Sequence, residues 1–408
     1  MAFLAVGMAL VGLALYLRVR VFIGTRPGGV DTWYYLASAE AIRKQKRLPI
    51  SLPQYLLHDK YESYPPVFPL FLAALPPDWL KRYFWLISPV IDCVHLLLLY
   101  LLAFRLTDSV LAAGTAGLIY AVTPQLISET RNLNGRAFAS LLQTICMVVL
   151  LRSIIPSSGP TAALVGSSDN RLYIVGVVLI AVLYNTHTST TIAFLISIAC
   201  LSFVFGERRL LLAGVLGLPV AVLISGGYYL RVIRNHVYAA LFWMRNVQYT
   251  RAHQIDDSPL LGVSDAGVSG GPRHGLYRSR VGLMIRVIGE NPFILPMLVT
   301  PVPENVWAAH MYWWAVAILA WSLLTTFGGP LRILGPGFHY MKTSVFPTAY
   351  VLSVVVNVVE GAFSPVGLAL VISVIGSFAA LAYFYRVITR RETEHTAHTP
   401  PDLADATA

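Results

Sequence analysis

Long apolar runs constrain the fold of this chain more than any other feature. Residues 84–104 and 188–205, for example, are predominantly apolar. In a bilayer, a stretch of about 20 apolar residues satisfies its backbone polar groups as a helix. The runs do not alternate between apolar and polar residues, as the strands of an outer-membrane barrel do. The sequence therefore predicts an all-α, polytopic transmembrane protein.

The composition supports this class and excludes others. The chain has 408 residues, of which 56% are hydrophobic and 12% are charged, whereas a soluble domain has about 25% charged residues. No polar stretch approaches the length of a soluble catalytic domain, so any chemistry belongs to the membrane domain and its loops. The net charge of +10 favours contact with lipid headgroups over nucleic acid. The three cysteines lie inside apolar runs, where neither a disulfide framework nor metal-ligand spacing results.

The length criterion for a span gives about ten or eleven transmembrane helices. The candidate spans are 2–23, 84–104, 109–128, 138–155, 171–186, 188–205, 210–230, 281–300, 310–327, 343–359 and 365–388. The span at 281–300 is the weakest, because Arg286 and Glu290 interrupt it. Residues 1–388 are thus predicted to form one transmembrane domain, and the polar tail 389–408 is expected to be disordered.

The longest connection follows the first span. Residues 24–83 are predicted to form a structured loop on the membrane surface. Within it, the stretch from Thr32 to Lys46 is amphipathic, and a short apolar run ends at Pro76-Pro77, too short to cross the bilayer. Both pieces are expected to be surface or re-entrant helices.

Counting spans places several polar loops on one side of the membrane. The first loop shares its side with 129–137, 186–187 and 231–280. The last of these is expected to be flexible, because residues 252–275 are rich in Gly, Ser, Asp and His. Convergence of such polar residues on one face is typical of an active site, although short loops between helices are polar in any case.

A carboxylate just beyond the first span is the most informative polar group. Asp31 stands beside the aromatic run Trp33, Tyr34 and Tyr35. A carboxylate is costly near hydrocarbon, so one set among aromatic residues is a candidate functional group and is expected to be partly desolvated. An interfacial turn with a Trp/Tyr belt would give the same aromatic enrichment, and the sequence leaves both interpretations open.

The order of these features resembles a known family. An apolar first helix is followed by Asp31 with its aromatic run, a long loop with amphipathic helices, and Tyr64-Pro65-Pro66 before the second span. This layout, over about residues 1–230, resembles the C-type integral-membrane glycosyltransferases. These include protein O-mannosyltransferases, aminoarabinose transferases and oligosaccharyltransferase catalytic subunits. The sequence lacks the Trp-Trp-Asp motif, which disfavours an oligosaccharyltransferase, and it lacks an Asp-X-Asp or Asp-X-Glu pair for a metal.

The resemblance implies an activity and an orientation. It implies an inverting glycosyltransferase in which Asp31 is catalytic and the donor is a sugar linked to a polyprenyl phosphate. The acceptor is left unknown. The first loop would then lie outside the plasma (cytoplasmic) membrane, against the count of its basic residues. Transfer needs a base for the acceptor proton, and Asp31 is the natural base.

The remaining candidates follow from what a lipid-phosphate leaving group requires. Fixed cations suit it, so Arg131 and Arg136 are the first choice, and Arg332, His339 and Lys342 are the second. Basic residues at helix ends also contact lipid headgroups, which is the competing interpretation for Arg332 and Lys342. No cofactor or metal ligand is assigned, and metal dependence is left open. The full set of substrate-binding candidates is Trp33, Tyr34, Tyr35, Glu62, Tyr64, Arg131, Asn134, Arg136, His187, Arg332 and Lys342.

Two other functional classes stay open. Asp92 and His95 lie three residues apart in the second span, hence on one helix face. Intramembrane ionisable pairs occur in ion and proton pathways, which would indicate a secondary transporter or channel. The same pair also occurs as a plain contact between helices. A non-catalytic polysaccharide-assembly protein on the same fold is the third class.

Overall fold

The computed structural model is helical throughout the part of the chain that it describes. The described residues are 1–20, 30–52, 63–130, 132–155, 169–245, 280–335, 337–358, 367–368 and 371–379, and no β-strand occurs within them. The all-α class is therefore confirmed. The helices are α1 (Ala2–Val19), α2 (Val30–Gln45), α3 (Val67–Ala74), α4 (Pro77–Thr107), α5 (Val110–Val122), α6 (Pro124–Glu129), α7 (Gly135–Ile154), α8 (Asn170–Tyr184), α9 (Thr188–Phe205), α10 (Arg208–Ile224), α11 (Tyr228–Arg245), α12 (Arg280–Glu290), α13 (Ile294–Val299), α14 (Val306–Phe327) and α15 (Lys342–Val358), with 3-10 helices at Gly329–Leu334 and Gly337–Tyr340.

Fewer helices meet the criterion for a span than the apolar runs predicted. Within the described ranges, α1, α4, α7, α9 and α14 are long and apolar enough to cross a membrane, and α10 with α11 would add a sixth. Helices α5, α8 and α15 are apolar but shorter. Proline and turn residues divide runs that look continuous in sequence, as Pro124 does after α5. The molecule is a multi-pass membrane protein, and helix length within the described residues gives fewer spans than the ten or eleven predicted.

The predicted surface helices are present. Helices α2 and α3 occupy the loop between α1 and α4 and pack against each other. The guanidinium of Arg43 on α2 fixes this pairing, because it donates to the backbone oxygens of Leu72, Ala73 and Leu75 at the end of α3. The last carbonyls of a helix lack the amide partners of a regular turn, so the arginine caps the C-terminal end of α3.

Helix α11 corrects one sequence prediction. Residues 231–245, expected to be the start of a flexible loop, are helical. The chain turns by 119° between α10 and α11 at Gly226 and Gly227, whose φ angles are 58° and 84°. These angles suit glycine, which has no Cβ to clash. Apolar residues then recur at helical spacing among arginines, a pattern typical of helices that lie on a membrane surface. The rest of 246–279 and the tail 389–408 lie outside the described residues.

A buried polar chain links the first helices inside the membrane. Arg18 Nε donates to Asp92 Oδ2, and the Tyr120 hydroxyl donates to Asp92 Oδ1 over 2.7 Å. The same hydroxyl lies 2.8 Å from His95 Nδ1, and His95 Nε2 lies 2.8 Å from Thr144 Oγ1. Because the one hydroxyl proton of Tyr120 goes to the carboxylate, His95 Nδ1 must carry a proton and Nε2 must accept from Thr144. Both oxygens of Asp92 are thus engaged, as in a structural contact between helices.

Removal of the charge on Asp92 is expected to destabilise the fold. Asp92→Asn leaves the Arg18 guanidinium uncompensated in the interior, which costs about 3–5 kcal/mol. The double variant Arg18→Met/Asp92→Asn is expected to regain most of this loss, since the amide still accepts from Tyr120. Thermal unfolding in detergent measures both. A transport role predicts the opposite pattern, with normal stability and lost function in both variants.

Candidate active site

The structure brings Asp31 together with residues from three other parts of the chain. Arg136 Nη2 lies 3.6 Å from Asp31 Oδ2, and Arg136 Nη1 lies 2.8 Å from Glu129 Oε2. One guanidinium therefore bridges two carboxylates, one on α2 and one at the end of α6. The Asp31 side chain is 45% exposed, while that of Glu129 is 11% exposed. The Asp31 carboxylate is thus partly shielded from solvent.

Local hydrogen bonds fix this bridge. Asn134 begins α7, and its Oδ1 accepts from the backbone N–H of Arg136 at 2.9 Å. Its Nδ2 donates to the backbone oxygen of Glu129 at 3.0 Å, which closes the turn between α6 and α7. The next link is to α2, where Thr32 Oγ1 accepts from the backbone N–H of Leu133 at 3.0 Å. Asn134 therefore positions the site from a buried cap, as Asn commonly does at helix starts.

The second 3-10 helix adds a histidine to the bridge. His339 Nδ1 lies 3.4 Å from Glu129 Oε1, and Gln125 Nε2 ties the segment to α6 through the backbone oxygen of Phe338. Burial keeps the pKa of His339 below its usual value despite the neighbouring carboxylate. His339 is therefore neutral at pH 7, with Nδ1–H donating to Glu129. Burial alone would raise the pKa of Glu129, but Lys342, His339 and Arg136 hold it well below the usual range.

The close approach of this 3-10 helix to α14 depends on glycine. A Cβ added at Gly337 would overlap the backbone oxygen of Ser322 and the hydroxyl of Thr326. We expect Gly337→Ala to cost about 1–3 kcal/mol of stability through overpacking, and to move His339 away from Glu129. The control is Gly289→Ala, because a Cβ there meets nothing within 4 Å. Thermal unfolding of both variants checks the prediction, and equal melting temperatures would contradict it.

Lys342 is the most unusual group of the site. Its side chain is buried at the start of α15, and no described residue accepts a hydrogen bond from its Nζ. Its charge interacts with Glu129, Arg136 and Asp31. A buried, unpartnered ammonium is costly, which makes Lys342 a candidate for binding an anion. Its burial also differs from the exposed position of a lysine that contacts lipid headgroups. We call Asp31, Glu129, Arg136, His339 and Lys342 the charge cluster.

His187 lies beside the charge cluster in the turn between α8 and α9. Its Nδ1 accepts from the backbone N–H of Thr190 at 3.4 Å, so it caps α9. Because Nδ1 is the acceptor, Nε2 carries the proton of the neutral ring. Burial, followed by the charges of Lys342 and Arg136, holds the pKa of His187 well below its usual value. His187 is therefore a neutral donor and not an additional cation.

Aromatic side chains form one wall next to Asp31. The ring centroids of Tyr34 and Tyr64 lie 6.1 Å apart, and those of Tyr35 and Phe68 lie 5.0 Å apart. Burial raises the pKa of Tyr35 well above its usual value, and Tyr64, its hydrogen-bond partner, adds to the shift. The Tyr35 phenol therefore stays neutral and acts as a hydrogen-bonding group. We call Tyr34, Tyr35, Tyr64 and Phe68 the aromatic wall.

Not every predicted site residue joins these groups. Trp33 is 57% exposed on the opposite side of α2, where its ring faces that of Phe84. Helical geometry explains this, because residues two positions apart point to different sides. Glu62 and Arg131 lie outside the described residues. Arg332 lies in the first 3-10 helix, but its side chain is outside the described part.

Glu129 is the one member of the charge cluster that the sequence did not predict as a site residue. It pairs with Arg136 and His339. Glu129 lies only seven residues before Arg136, across a turn that Asn134 caps. This short spacing is a sequence signal for the pairing of the two side chains. No sequence signal joined His339 to Glu129, because the two are 210 positions apart.

This chain matches known proteins in structure but not in sequence. No protein-family model and no curated protein matches the sequence. The archaeal oligosaccharyltransferase AglB from Archaeoglobus fulgidus, solved with an inhibitory peptide and a dolichol-phosphate, aligns with 94% of this chain at 15% identity and a TM-score of 0.54. ArnT from Cupriavidus metallidurans, solved with undecaprenyl phosphate, aligns with 88% at 15% identity and the same TM-score of 0.54. The Archaeoglobus fulgidus enzyme in complex with Zn and sulfate aligns with 92% at 17% identity and a TM-score of 0.52.

The alignments cover most of this chain but only part of each neighbour. The chain spans 56% of the first oligosaccharyltransferase chain and 60% of ArnT. At these identities the likeness concerns the fold and not the chemistry. The chain therefore has the fold of the C-type integral-membrane glycosyltransferases.

Proposed function

We propose that this protein is an inverting membrane glycosyltransferase that moves a sugar from a polyprenyl-phosphate-linked donor to an acceptor. One observation carries the proposal. The buried ammonium of Lys342 has no described hydrogen-bond partner and lies within charge interaction of Asp31. An anion-binding cation beside a half-exposed carboxylate is the arrangement that sugar transfer from a phosphate requires.

The chemistry assigns one role to each charge. The acceptor nucleophile attacks the anomeric carbon while Asp31 takes its proton, and the bond from that carbon to the phosphate oxygen breaks. The electron pair leaves with the polyprenyl phosphate. The donor is a phosphodiester with one negative charge, whereas the departing phosphate monoester carries about −1.5 to −2. Lys342 thus binds the leaving group more strongly as the bond breaks, which lowers the barrier.

Arg136 takes a different role from the one its sequence position predicted. Both of its terminal nitrogens face carboxylates. Arg136 therefore holds Asp31 in place and does not bind phosphate through two free N–H groups. We assign Arg136 as a positioning residue and Lys342 as the phosphate-binding residue. The aromatic wall next to Asp31 offers flat faces and phenol groups to a sugar ring.

The fold neighbours support the choice of donor. AglB and ArnT were solved with dolichol-phosphate and undecaprenyl phosphate respectively, and both are long-chain lipid phosphates. In the rival transporter class, Asp92 would have to exchange ions, yet Arg18 and Tyr120 engage both of its oxygens. We place the protein in the plasma membrane, with the charge cluster on the outer side and membrane lipids around it.

Turnover of a defined donor tests the proposal. The purified protein in nanodiscs is incubated with short-chain polyprenyl-phosphate sugars, and release or transfer of the sugar is followed by mass spectrometry. We expect turnover of at least one polyprenyl-phosphate sugar. A protein that neither binds nor turns over any of them, while it remains folded by thermal unfolding, would contradict the proposal and favour a non-catalytic polysaccharide-assembly role.

A further inference from the structure

We infer that Arg136 and Lys342 supply the positive charge that a divalent metal would otherwise bring to the charge cluster. Donor turnover therefore requires no metal. This inference rests on the proposed function and narrows it. Asp31 and Glu129 converge as two metal ligands would, but Arg136 lies between them, 3.6 Å from Asp31 Oδ2 and 2.8 Å from Glu129 Oε2. The guanidinium occupies the position from which a metal would contact both carboxylates.

The carboxylate oxygens left free in the charge cluster are too few to coordinate a metal ion. Mg²⁺ and Ca²⁺ require about six or more oxygen ligands, and Zn²⁺ requires about three or four nitrogen, sulfur or oxygen ligands. The second oxygen of Glu129 is also engaged, by His339 Nδ1 at 3.4 Å. Throughout the described ranges, no group of three His, Cys, Asp or Glu residues is placed to hold a metal ion.

The charges disfavour a metal as well. Arg136 and Lys342 already balance Asp31 and Glu129 one for one, while the histidines at 187 and 339 stay neutral because burial lowers their pKa values. A metal would add two positive charges at a site where Glu129 and Lys342 are buried and poorly screened. The excess positive charge would repel Lys342 and Arg136.

The same balance indicates the donor class. A neutral charge cluster with one unpartnered ammonium matches the single negative charge of a monophosphate-linked sugar. A diphosphate-linked sugar carries an additional charge, for which the charge cluster offers no second unpartnered cation, because both terminal nitrogens of Arg136 face carboxylates. We therefore assign the donor as a polyprenyl monophosphate sugar.

Metal binding and metal dependence can be measured separately. Protein treated with EDTA is titrated with Mn²⁺ and followed by electron paramagnetic resonance, and turnover of a polyprenyl-phosphate sugar is measured with and without EDTA. We expect no specific Mn²⁺ site in the wild type and turnover that changes by less than about twofold, whereas loss of a catalytic metal would reduce it by about 100-fold or more. Matched polyprenyl-diphosphate sugars are expected to turn over more slowly.

Substitution of Arg136 tests the role of its guanidinium independently of turnover. Arg136→Met frees the oxygens of Asp31 and Glu129, so we expect it to gain Mn²⁺ binding that Lys44→Met, at an exposed position of α2, does not gain. Wild-type Mn²⁺ binding that Asp31→Asn abolishes, or turnover lost in EDTA and restored by Mn²⁺, would overturn the inference. Absence of turnover in every condition would contradict the proposed function instead, and the Mn²⁺ titration would still decide on the metal.

Discussion

Asp31→Asn is expected to reduce sugar transfer about 1,000-fold, because a positioned general base contributes about 10²–10⁴-fold. The amide cannot accept the acceptor proton, although it keeps the size of the carboxylate. Donor affinity is expected to change by less than about threefold, since Lys342 and not Asp31 binds the phosphate in our proposal. Single-turnover sugar release and equilibrium donor binding, both measured on purified protein, separate these two effects.

Helix α2 provides a matched control for this experiment. Glu40 lies on the same helix, is exposed and pairs with Lys44 at 2.7 Å, away from the charge cluster. Glu40→Gln removes one carboxylate charge from the same surface helix and is expected to keep wild-type turnover. Near-normal transfer by Asp31→Asn would show that another group takes the proton. A loss of donor binding equal to the loss of turnover would show that Asp31 acts in binding.

The arrangement of the site was predictable where it depends on which side of the membrane a loop faces. Asp31, Asn134, Arg136 and His187 were placed on one face because an even number of spans separates their loops, and the structure brings their segments together. Alternation of sides is a topological constraint that survives errors of several residues in helix boundaries.

The pairings within the site were less predictable. The sequence did not predict that Glu129 pairs with Arg136; the turn capped by Asn134 brings these two side chains together. Trp33 seemed to belong with its neighbours Tyr34 and Tyr35, yet the helical rotation of α2 turns it toward Phe84. Side-chain direction depends on the secondary structure, which the order of the residues alone does not convey.

Helix length in the described part of the chain gives fewer spans than the apolar runs, for a related reason. An apolar run shows that a segment can be buried, but not that it is one straight helix. The run at 210–230 ends in the pair Gly226-Gly227, which turns the chain into α11. The residues after this pair have an amphipathic pattern that indicates a helix. The polar composition of 252–275 nevertheless favoured a loop for the whole of 231–280.

Lys342→Met is expected to have opposite effects on donor binding and on stability. The Nζ is buried without a described hydrogen-bond partner, so an apolar side chain of similar length removes a desolvated charge. We expect the free energy of unfolding to rise by about 1 kcal/mol or more. Hydrogen bonds to charged groups contribute about 1.5–3 kcal/mol, so donor affinity is expected to fall about 10- to 100-fold.

The combination of these two signs distinguishes a ligand-binding lysine from a structural one. If Lys342 serves only to neutralise Glu129, the substitution lowers the melting temperature and leaves donor affinity unchanged, which would contradict our assignment. Glu129 loses its interaction with Lys342 in the variant but retains Arg136 and His339, so this loss is expected to offset only part of the gain in stability. Lys44→Met, at an exposed position, removes one positive charge without either effect. A gain in stability with weaker donor binding indicates a lysine retained for its ligand, since such groups cost stability in its absence.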